Sequence, residues 1–505
     1  MSTSPGYGEN EWVLHTNGKP GKTSLFTQNK ETQKWTPHEP VLRAFDEMER
    51  GYLGRGEPKI PIVMDIMKDE LRPLHKVDKP RLFNPSPVEN TMLFRKYFGA
   101  YVENEMRLHN TRSSKVGINP HDHREWLALT RMLMKFALDP KNVKLFGGDI
   151  SQLDASQPPL LGTAFADRVT AWYGDNFGEL RRAMMLDVVN AAHILGDMIF
   201  TLSAGNTSGN FVTTMFNNFS VEFILRVALL LAHPEKSVVE LMRAFLLAVF
   251  GDDHLGPISP EWPKFTMTFI AEVFLLFGMI YTDTKKTGIV PESMTLDEAE
   301  FLKRSFRFEG GYVFAPLPKT VIENMTNWVT KTVQGPDGTR VNCENALREA
   351  FHHGEGYFED LKERINRALM EVGIQPVRMA FLNCFADYEK VTFGDIPWDQ
   401  SGTLEHNREI TNPPEKIEAL TSFGDNTGSS DPSVEEKMNV SKIHRNTDPY
   451  PKQGLQQVLE RIYPIANLIW SGSSASGSLL ANYSFPNDLY NIPRIHTALE
   501  TFQYL

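Results

Sequence analysis

The chain has 505 residues, enough for two or more hydrophobic cores, and its 41% hydrophobic and 23% charged content is that of a globular protein. Its net charge of −11 excludes wholesale coating of a polyanion, although Lys68 to Lys115 holds ten Lys/Arg against six Asp/Glu and is locally basic. Cys343 and Cys384 are too few for a disulfide framework and fit a reducing cytosol; Met1-Ser2-Thr3-Ser4-Pro5-Gly6 does not read as a signal peptide; and the apolar stretches Val221–Ala232 and Phe265–Tyr281, broken by Arg226 and Glu272, read as too short to span a bilayer.

Residues 1–60 read as loops and short strands, rich in Gly, Pro, Asn and Thr. Gly18-Lys19-Pro20-Gly21-Lys22-Thr23 invites a phosphate-loop reading, but it has two residues between its glycines where four are needed, and no apolar strand precedes it. From Lys68 to Phe83, the cations Lys68, Arg72, Lys76, Lys79 and Arg81 alternate with apolar residues and prolines, which suits an extended ribbon with one charged face. Such a face would hold polyphosphate; a solvated surface ribbon is the plainer alternative for this stretch alone. The spacing predicts helices over Met92–Arg107 and Arg124–Leu138, with His121-Asp122-His123 before the second as an ordinary surface loop.

Val143–Phe146 then predicts a short strand running into Gly147-Gly148-Asp149, with Asp154 five residues on as either a helix cap or a functional carboxylate. Helices are predicted over Leu160–Tyr173 and Glu179–Thr201. The Gly/Ser-rich loop Gly205–Asn210 leads into a further helix on which Thr213 and Asn217 share one face, and polar groups there need partners such as a nucleotide's hydroxyls or ordinary capping contacts. Ala244–Phe250 predicts a buried strand ending in Gly251-Asp252-Asp253, a glycine turn from whose tip both aspartates project together. Paired carboxylates at a strand end suit Mg²⁺ or Mn²⁺, although Gly and Asp are also ordinary turn residues. A helix over Pro263–Gly278, a polar turn at Tyr281–Thr287 with Lys285 and Lys286, and the stretch Phe301–Phe306 follow. Thr320–Val333, Asn345–Phe351 and Tyr357–Val372 read as a separate small helical domain. Residues 401–452 have the Gly/Ser/Asn/Asp/Thr/Pro composition of a flexible linker, and apolar pattern returns at Leu455–Trp470.

In this order the stretches resemble the RNA-dependent RNA polymerases of picorna-like viruses (marnavirus- and dicistrovirus-like) over roughly residues 1–395. The basic ribbon resembles the finger motif at Lys68, Arg72, Lys76 and Arg81, about two residues shorter between Val77 and Lys79. Asp149-x4-Asp154 matches the first palm motif, Ser208-Gly209-x3-Thr213-x3-Asn217 the second, and Gly251-Asp252-Asp253 the third; Lys286, with Lys285 as a rival, stands at the fourth and Phe301–Phe306 at the fifth.

The resemblance implies an α+β right-hand polymerase: N-terminally incomplete fingers over 1–140, a palm with an antiparallel sheet and inserted finger helices over 141–310, and a helical thumb over 311–400. A linker over 401–454 and the start of a capsid-like region over 455–505 would follow, the latter on Tyr483-Ser484-Phe485-Pro486 and its continuation to Leu505. It implies template-directed RNA synthesis from NTPs by a two-metal mechanism. Asp149 and Asp252 are then the main Mg²⁺ (or Mn²⁺) ligands with Asp253 in support, and Lys286 is the general acid for pyrophosphate. Lys68, Arg72, Lys76 and Arg81 hold the triphosphate. Asp154 and Asn217, with Ser208 nearby, would read the ribose 2′-hydroxyl, and Gly209 and Thr213 would complete the NTP-binding set. The implied partners are RNA template and primer, a viral protein primer, and a viral cysteine protease cutting at Gln400-Ser401 and Gln453-Gly454. The implied location is membrane-associated replication complexes in the host cytoplasm. Thr3-Ser4-Pro5-Gly6-Tyr7 resembles an internal finger segment, which implies fingers cut short at Met1 and, as an alternative, an inactive polyprotein precursor. A reverse transcriptase shares the palm, but the Asp154/Asn217 pair argues against it, since the 2′-hydroxyl distinguishes RNA from DNA chemistry.

Overall fold

The computed structural model describes residues 22–68, 81–137, 139–284, 288–327 and 335–393. The first elements are a short hairpin, β1 (Phe26–Gln28) with β2 (Trp35–Pro37), and helix α1 (Glu39–Tyr52), which begins where Pro40 pre-sets φ and buries Val41, Met48 and Tyr52. Strands β3 (Ile62–Met64), β4 (Ile66–Met67) and β5 (Leu82–Phe83) precede helix α2 (Val88–Arg107); β4 pairs antiparallel with β5. Helix α3 runs over His123–Leu133, ending five residues before the predicted boundary.

The central sheet is built from β6 (Leu145–Ser151), β9 (Ala248–Phe250), β10 (Asp253–Pro257) and β11 (Ile280–Thr282), all antiparallel, in the order β11-β6-β10-β9. Strand β6 continues through Gly147-Gly148-Asp149 instead of ending before them. Asp149 therefore stands inside a ladder, opposite Thr282, and Gly148 stands opposite His254. Between β6 and β9 the chain makes α4 (Leu153–Ser156), α5 (Pro159–Tyr173) and α6 (Gly178–Val189). Gln152, in the left-handed region at φ 54°, precedes α4, so Asp154 lies in its first turn and is not its cap.

The helix predicted over Glu179–Thr201 stops at Val189, and its second half is a hairpin of β7 (Ala192–Leu195) and β8 (Met198–Thr201). Its turn contains Gly196 at φ 62°, and β7 joins β3 in parallel, so tertiary pairing overrides the local pattern. Helix α7 (Thr213–Ala232) is long and apolar enough to cross a membrane by length and composition, contrary to the expectation that this stretch is too short. Of its most apolar window, 89% is buried within the protein. It packs on α5, on β9 and on α9 (Met267–Leu276), after the short α8 (Val238–Ala244), with Phe165 and Phe216 ring centroids 5.7 Å apart. Its composition is that of a helix enclosed by a core.

A second compact unit combines Asn119–Leu127 with the described residues from Arg307 onward. It holds the hairpin of β12 (Arg307–Glu309) and β13 (Tyr312–Phe314) and the helices α10 (Lys319–Met325), α11 (Pro336–Ala350), α12 (Glu355–Glu371) and α13 (Phe381–Phe393). Helix α11 begins nine residues before the predicted Asn345. Phe314, Leu347, Phe351, Phe358, Leu361 and Tyr388 form its core.

The loop His121–His123 is not ordinary surface. His123 is buried and its Nδ1 accepts the Val313 N–H at 2.9 Å, buried Asp122 binds the Arg124 guanidinium, and His121 Nδ1 lies 3.2 Å from His352 Nε2. The linker at 401–454 and the capsid-like segment at 455–505 lie outside the described residues.

Candidate active site

The hairpin turn at Gly251-Asp252 sets the site. Gly251 has φ 70°, the left-handed conformation that a side chain disfavours, and its N–H donates to Oδ1 of Asn218 on α7. The two aspartates do not project together. Strand residues alternate sides, and the turn adds its own rotation, so the neighbours take different partners. The carboxyl of Asp252 is hydrogen-bonded to that of Asp149 on the adjacent strand β6. Asp253 turns away, and its Oδ2 accepts the Leu302 N–H at 2.6 Å.

Electrostatics follow from these contacts. Loss of solvent, the hydrogen bond to Asp149 and repulsion from Asp149 push Asp252 above the ordinary carboxylate range, and Asp154 is close enough to add to the rise. Burial raises Asp253 to about 7, aided by the charges of Asp252, Asp149 and Glu300 and opposed by the Leu302 N–H. Two carboxyl groups in contact hold a proton or a cation between them, and hard oxygen donors of this kind fit Mg²⁺ or Mn²⁺. Among the described residues no group of three or more His, Cys, Asp or Glu side chains forms a metal-ligand set. The Asp149 and Asp252 carboxyls supply two hard oxygen donors, the type that Mg²⁺ takes beside nucleotides.

Beneath the turn, His254 is fully enclosed. Its Nδ1–H donates to the Asp252 carbonyl at 2.9 Å, and its Nε2 accepts the Tyr281 hydroxyl at 3.1 Å. Burial lowers His254 to about 4 and raises Tyr281 strongly, so both stay neutral and serve as fixed supports. Sequence reasoning missed both, although the alternation of β10 already directs His254 to the opposite side from Asp253.

Asn217, near the start of α7, donates from Nδ2 to Asp154 Oδ1 at 2.8 Å. Its Oδ1 accepts from Asn206 Nδ2 at 2.8 Å and from Gln157 Nε2, and buried Gln157 accepts the Ser220 hydroxyl at 2.6 Å. A carboxylate can only accept, so this network leaves Asn217 one orientation. Gln157 and Asn206 were not anticipated. The Thr213 hydroxyl is within donor reach of the carbonyls of Thr207 at 2.7 Å and Asn210 at 2.9 Å, so it ties down the Gly205–Asn210 loop from the helix start. Ser208 and Gly209 lie on that loop against Asn84. Lys68 and Arg81 flank the β4–β5 pair, joined by the Lys68 N–H to Arg81 carbonyl bond at 2.8 Å. Arg72, Lys76, Lys285 and Lys286 lie outside the described residues.

The family model of viral RNA-dependent RNA polymerase matches residues 1–369. The chain belongs to the viral RNA-dependent RNA polymerase family. Within that family it is 31% identical over 420 residues to the genome polyprotein of Rice tungro spherical virus (strain Vt6), covering 78% of this chain and 12% of that polyprotein. To the replicase polyprotein of Acute bee paralysis virus (strain Rothamsted) it is 30% identical over 387 residues, covering 73% and 20%. The chain thus spans 12% to 20% of the length of these relatives. The solved structure titled Sicinivirus 3Dpol RNA dependent RNA polymerase superposes with a TM-score of 0.61 at 19% identity over 77% of each chain, a likeness of fold. The chain accordingly shares the α+β fold of a right-hand polymerase.

Proposed function

We propose that this chain carries out template-directed RNA synthesis, joining an NTP to an RNA 3′-hydroxyl during replication of a positive-strand viral genome. The observation that carries this reading is the hydrogen bond from Asn217 to Asp154, beside the touching carboxyls of Asp149 and Asp252. It supplies a polar reader for a ribose hydroxyl next to a carboxylate pair suited to a divalent cation.

Asp149 and Asp252 would hold the metal, whose chemistry is to polarise the attacking hydroxyl and neutralise charge at the reacting phosphate. His254 and Tyr281 hold the main chain of Asp252, and Asn218 holds Gly251, so the Asp252 carboxyl needs little rearrangement before reaction. Asp253 supports the turn and lends charge through its carboxyl group. Lys68 and Arg81, with Arg72 and Lys76, would bind the triphosphate, and Lys286 would give a proton to the departing pyrophosphate. Asp154 and Asn217 would orient on the 2′-hydroxyl, with Ser208 and Gly209 shaping the pocket wall and Thr213 fixing the loop.

Primer extension with matched rNTP and dNTP tests this. Preference for rNTP supports it. Equal use, or preference for dNTP, points to the reverse transcriptase reading. Processing at Gln400-Ser401 and Gln453-Gly454 by a viral cysteine protease, and assembly on host membranes, belong to the same proposal. Intact chain after incubation with such a protease would remove the two cleavage sites, and fractionation of infected cells checks the location.

A further inference from the structure

A run of largely buried polar contacts outside the residues assigned above leads to the Ser208–Gly209 loop. It starts at His193 on β7, 4% exposed, whose Nδ1 lies 2.7 Å from Oδ1 of Asp65, between β3 and β4. The same carboxylate oxygen accepts Nδ2 of Asn84, just after β5. Because a carboxylate only accepts, Asn84 must turn its amide NH₂ toward Asp65 and its carbonyl oxygen away. That carbonyl meets Ser208, whose hydroxyl donates to it at 3.2 Å while accepting the Asn84 backbone N–H at 3.2 Å. Gly209 sits against the same residue. A Cβ at 209 would come within 2.3 Å of the Asn84 backbone carbonyl oxygen, and Pro85 and Gly209 form a parallel bridge. Asn84 also ends the ribbon on which Lys68 and Arg81 are joined.

We propose that Asn84, oriented by Asp65 and His193, is a positioning residue that locks the Ser208–Gly209 loop to the cation-bearing ribbon. Triphosphate binding and reading of the ribose are thereby mechanically joined. The proposal rests on the polymerase reading above. It follows from the direction of the bonds: Asp65 Oδ1 accepts from Asn84 Nδ2, Asn84 Oδ1 accepts from Ser208, and a reversed amide would set two acceptors against each other.

The test uses the full 505-residue chain and the variant Asn84→Asp, nearly identical in shape but with a carboxylate facing Asp65. The amides of Ser208 to Asn210 are expected to exchange hydrogen roughly tenfold faster, the KM for rNTP to rise roughly tenfold, and the rNTP over dNTP preference in kcat/KM to fall similarly, with kcat changed less. Adding Asp65→Asn restores a donor opposite the new carboxylate and is expected to recover all three. If Asn84→Asp does not fold, Asn84→Ala, which removes the side-chain bonds to both Asp65 and Ser208, carries the same expectations. Unchanged exchange and KM, or no recovery in the paired variant, would overturn the proposal. A wild-type chain that extends no primer would count against the polymerase reading, while amide exchange still judges Asn84.

Discussion

The Leu302 N–H donates to Oδ2 of Asp253 at 2.6 Å, across 49 residues of chain. Leu302 and Lys303 have φ of 55° and 59°, so the turn closed by Phe301 and Arg304 is held in a conformation that ordinary residues adopt at a cost. Asp253 supplies the acceptor that fixes it, while Asp252 meets Asp149. The two adjacent aspartates therefore have separable duties. Asp253→Asn keeps an acceptor for Leu302 and is expected to lower primer extension by about ten- to a hundredfold, while Asp252→Asn removes the carboxylate proposed to hold the metal and is expected to lower it by about a thousandfold or more. Single-turnover extension rates check the order, and equal losses would contradict this division of roles.

Stability should depend on pH through Asp253. Its folded value is raised to about 7 by burial, against an ordinary value of about 3.9. An acid raised in the folded state favours folding only while protonated, so that contribution is full below the unfolded value and is lost as pH rises through about 7. Asp252 is shifted in the same direction. Denaturant unfolding of the wild type and Asp253→Asn, without metal, is expected to diverge by on the order of 2–4 kcal/mol between about pH 4 and pH 7, the wild type losing stability. Parallel curves would show that the carboxyl is solvated.

Mg²⁺ should stabilise the folded chain selectively at higher pH. Binding requires a deprotonated Asp252, whose carboxyl burial and the neighbouring Asp149 hold protonated to higher pH than usual. Millimolar Mg²⁺ is expected to raise the melting temperature at about pH 8 and much less at about pH 5, and to do neither in Asp252→Ala. An equal rise in that variant would assign the ion elsewhere.

Asn217→Ala is expected to reduce the rNTP over dNTP ratio in kcat/KM by about tenfold, because Asp154 loses its fixed partner. It also leaves Gln157, buried and bonded to Asn217 Oδ1, short of one acceptor, at a cost of about 1–3 kcal/mol. A ratio that stays constant while stability falls would make Asn217 purely structural.

The neighbouring Asn218 faces the other way. It joins Ser114 Oγ at 2.8 Å to the Gly251 N–H, so Asn218→Ala should lower stability by about 1–3 kcal/mol and slow extension while sparing the ribose preference. A changed preference would mean that the two asparagines are not independent.

Beyond the family resemblance carried by the ordered motifs, what the sequence revealed was local. Gly251 announced its own positive φ, and the spacing of Thr213 and Asn217 placed them on one helix face. Where Ile194-Leu195 and Met198-Ile199-Phe200 continued an apolar run, helix and strand patterns were indistinguishable, and pairing of β7 with β3 decided. The supports of the site were illegible because their partners are remote. Gln157 meets Asn217 across 60 residues and Asn84 meets Ser208 across 124, and no local pattern marks either. His121-Asp122-His123 resembled a polar loop, and its burial depends on Val313, 190 residues away from His123.

The most direct measurement is RNA primer extension on an RNA template with rNTPs and Mg²⁺, comparing the wild-type chain with Asp252→Ala. The account predicts templated extension by the wild type and none by the variant, with the variant folded by circular dichroism. Extension at the wild-type rate by Asp252→Ala would contradict it.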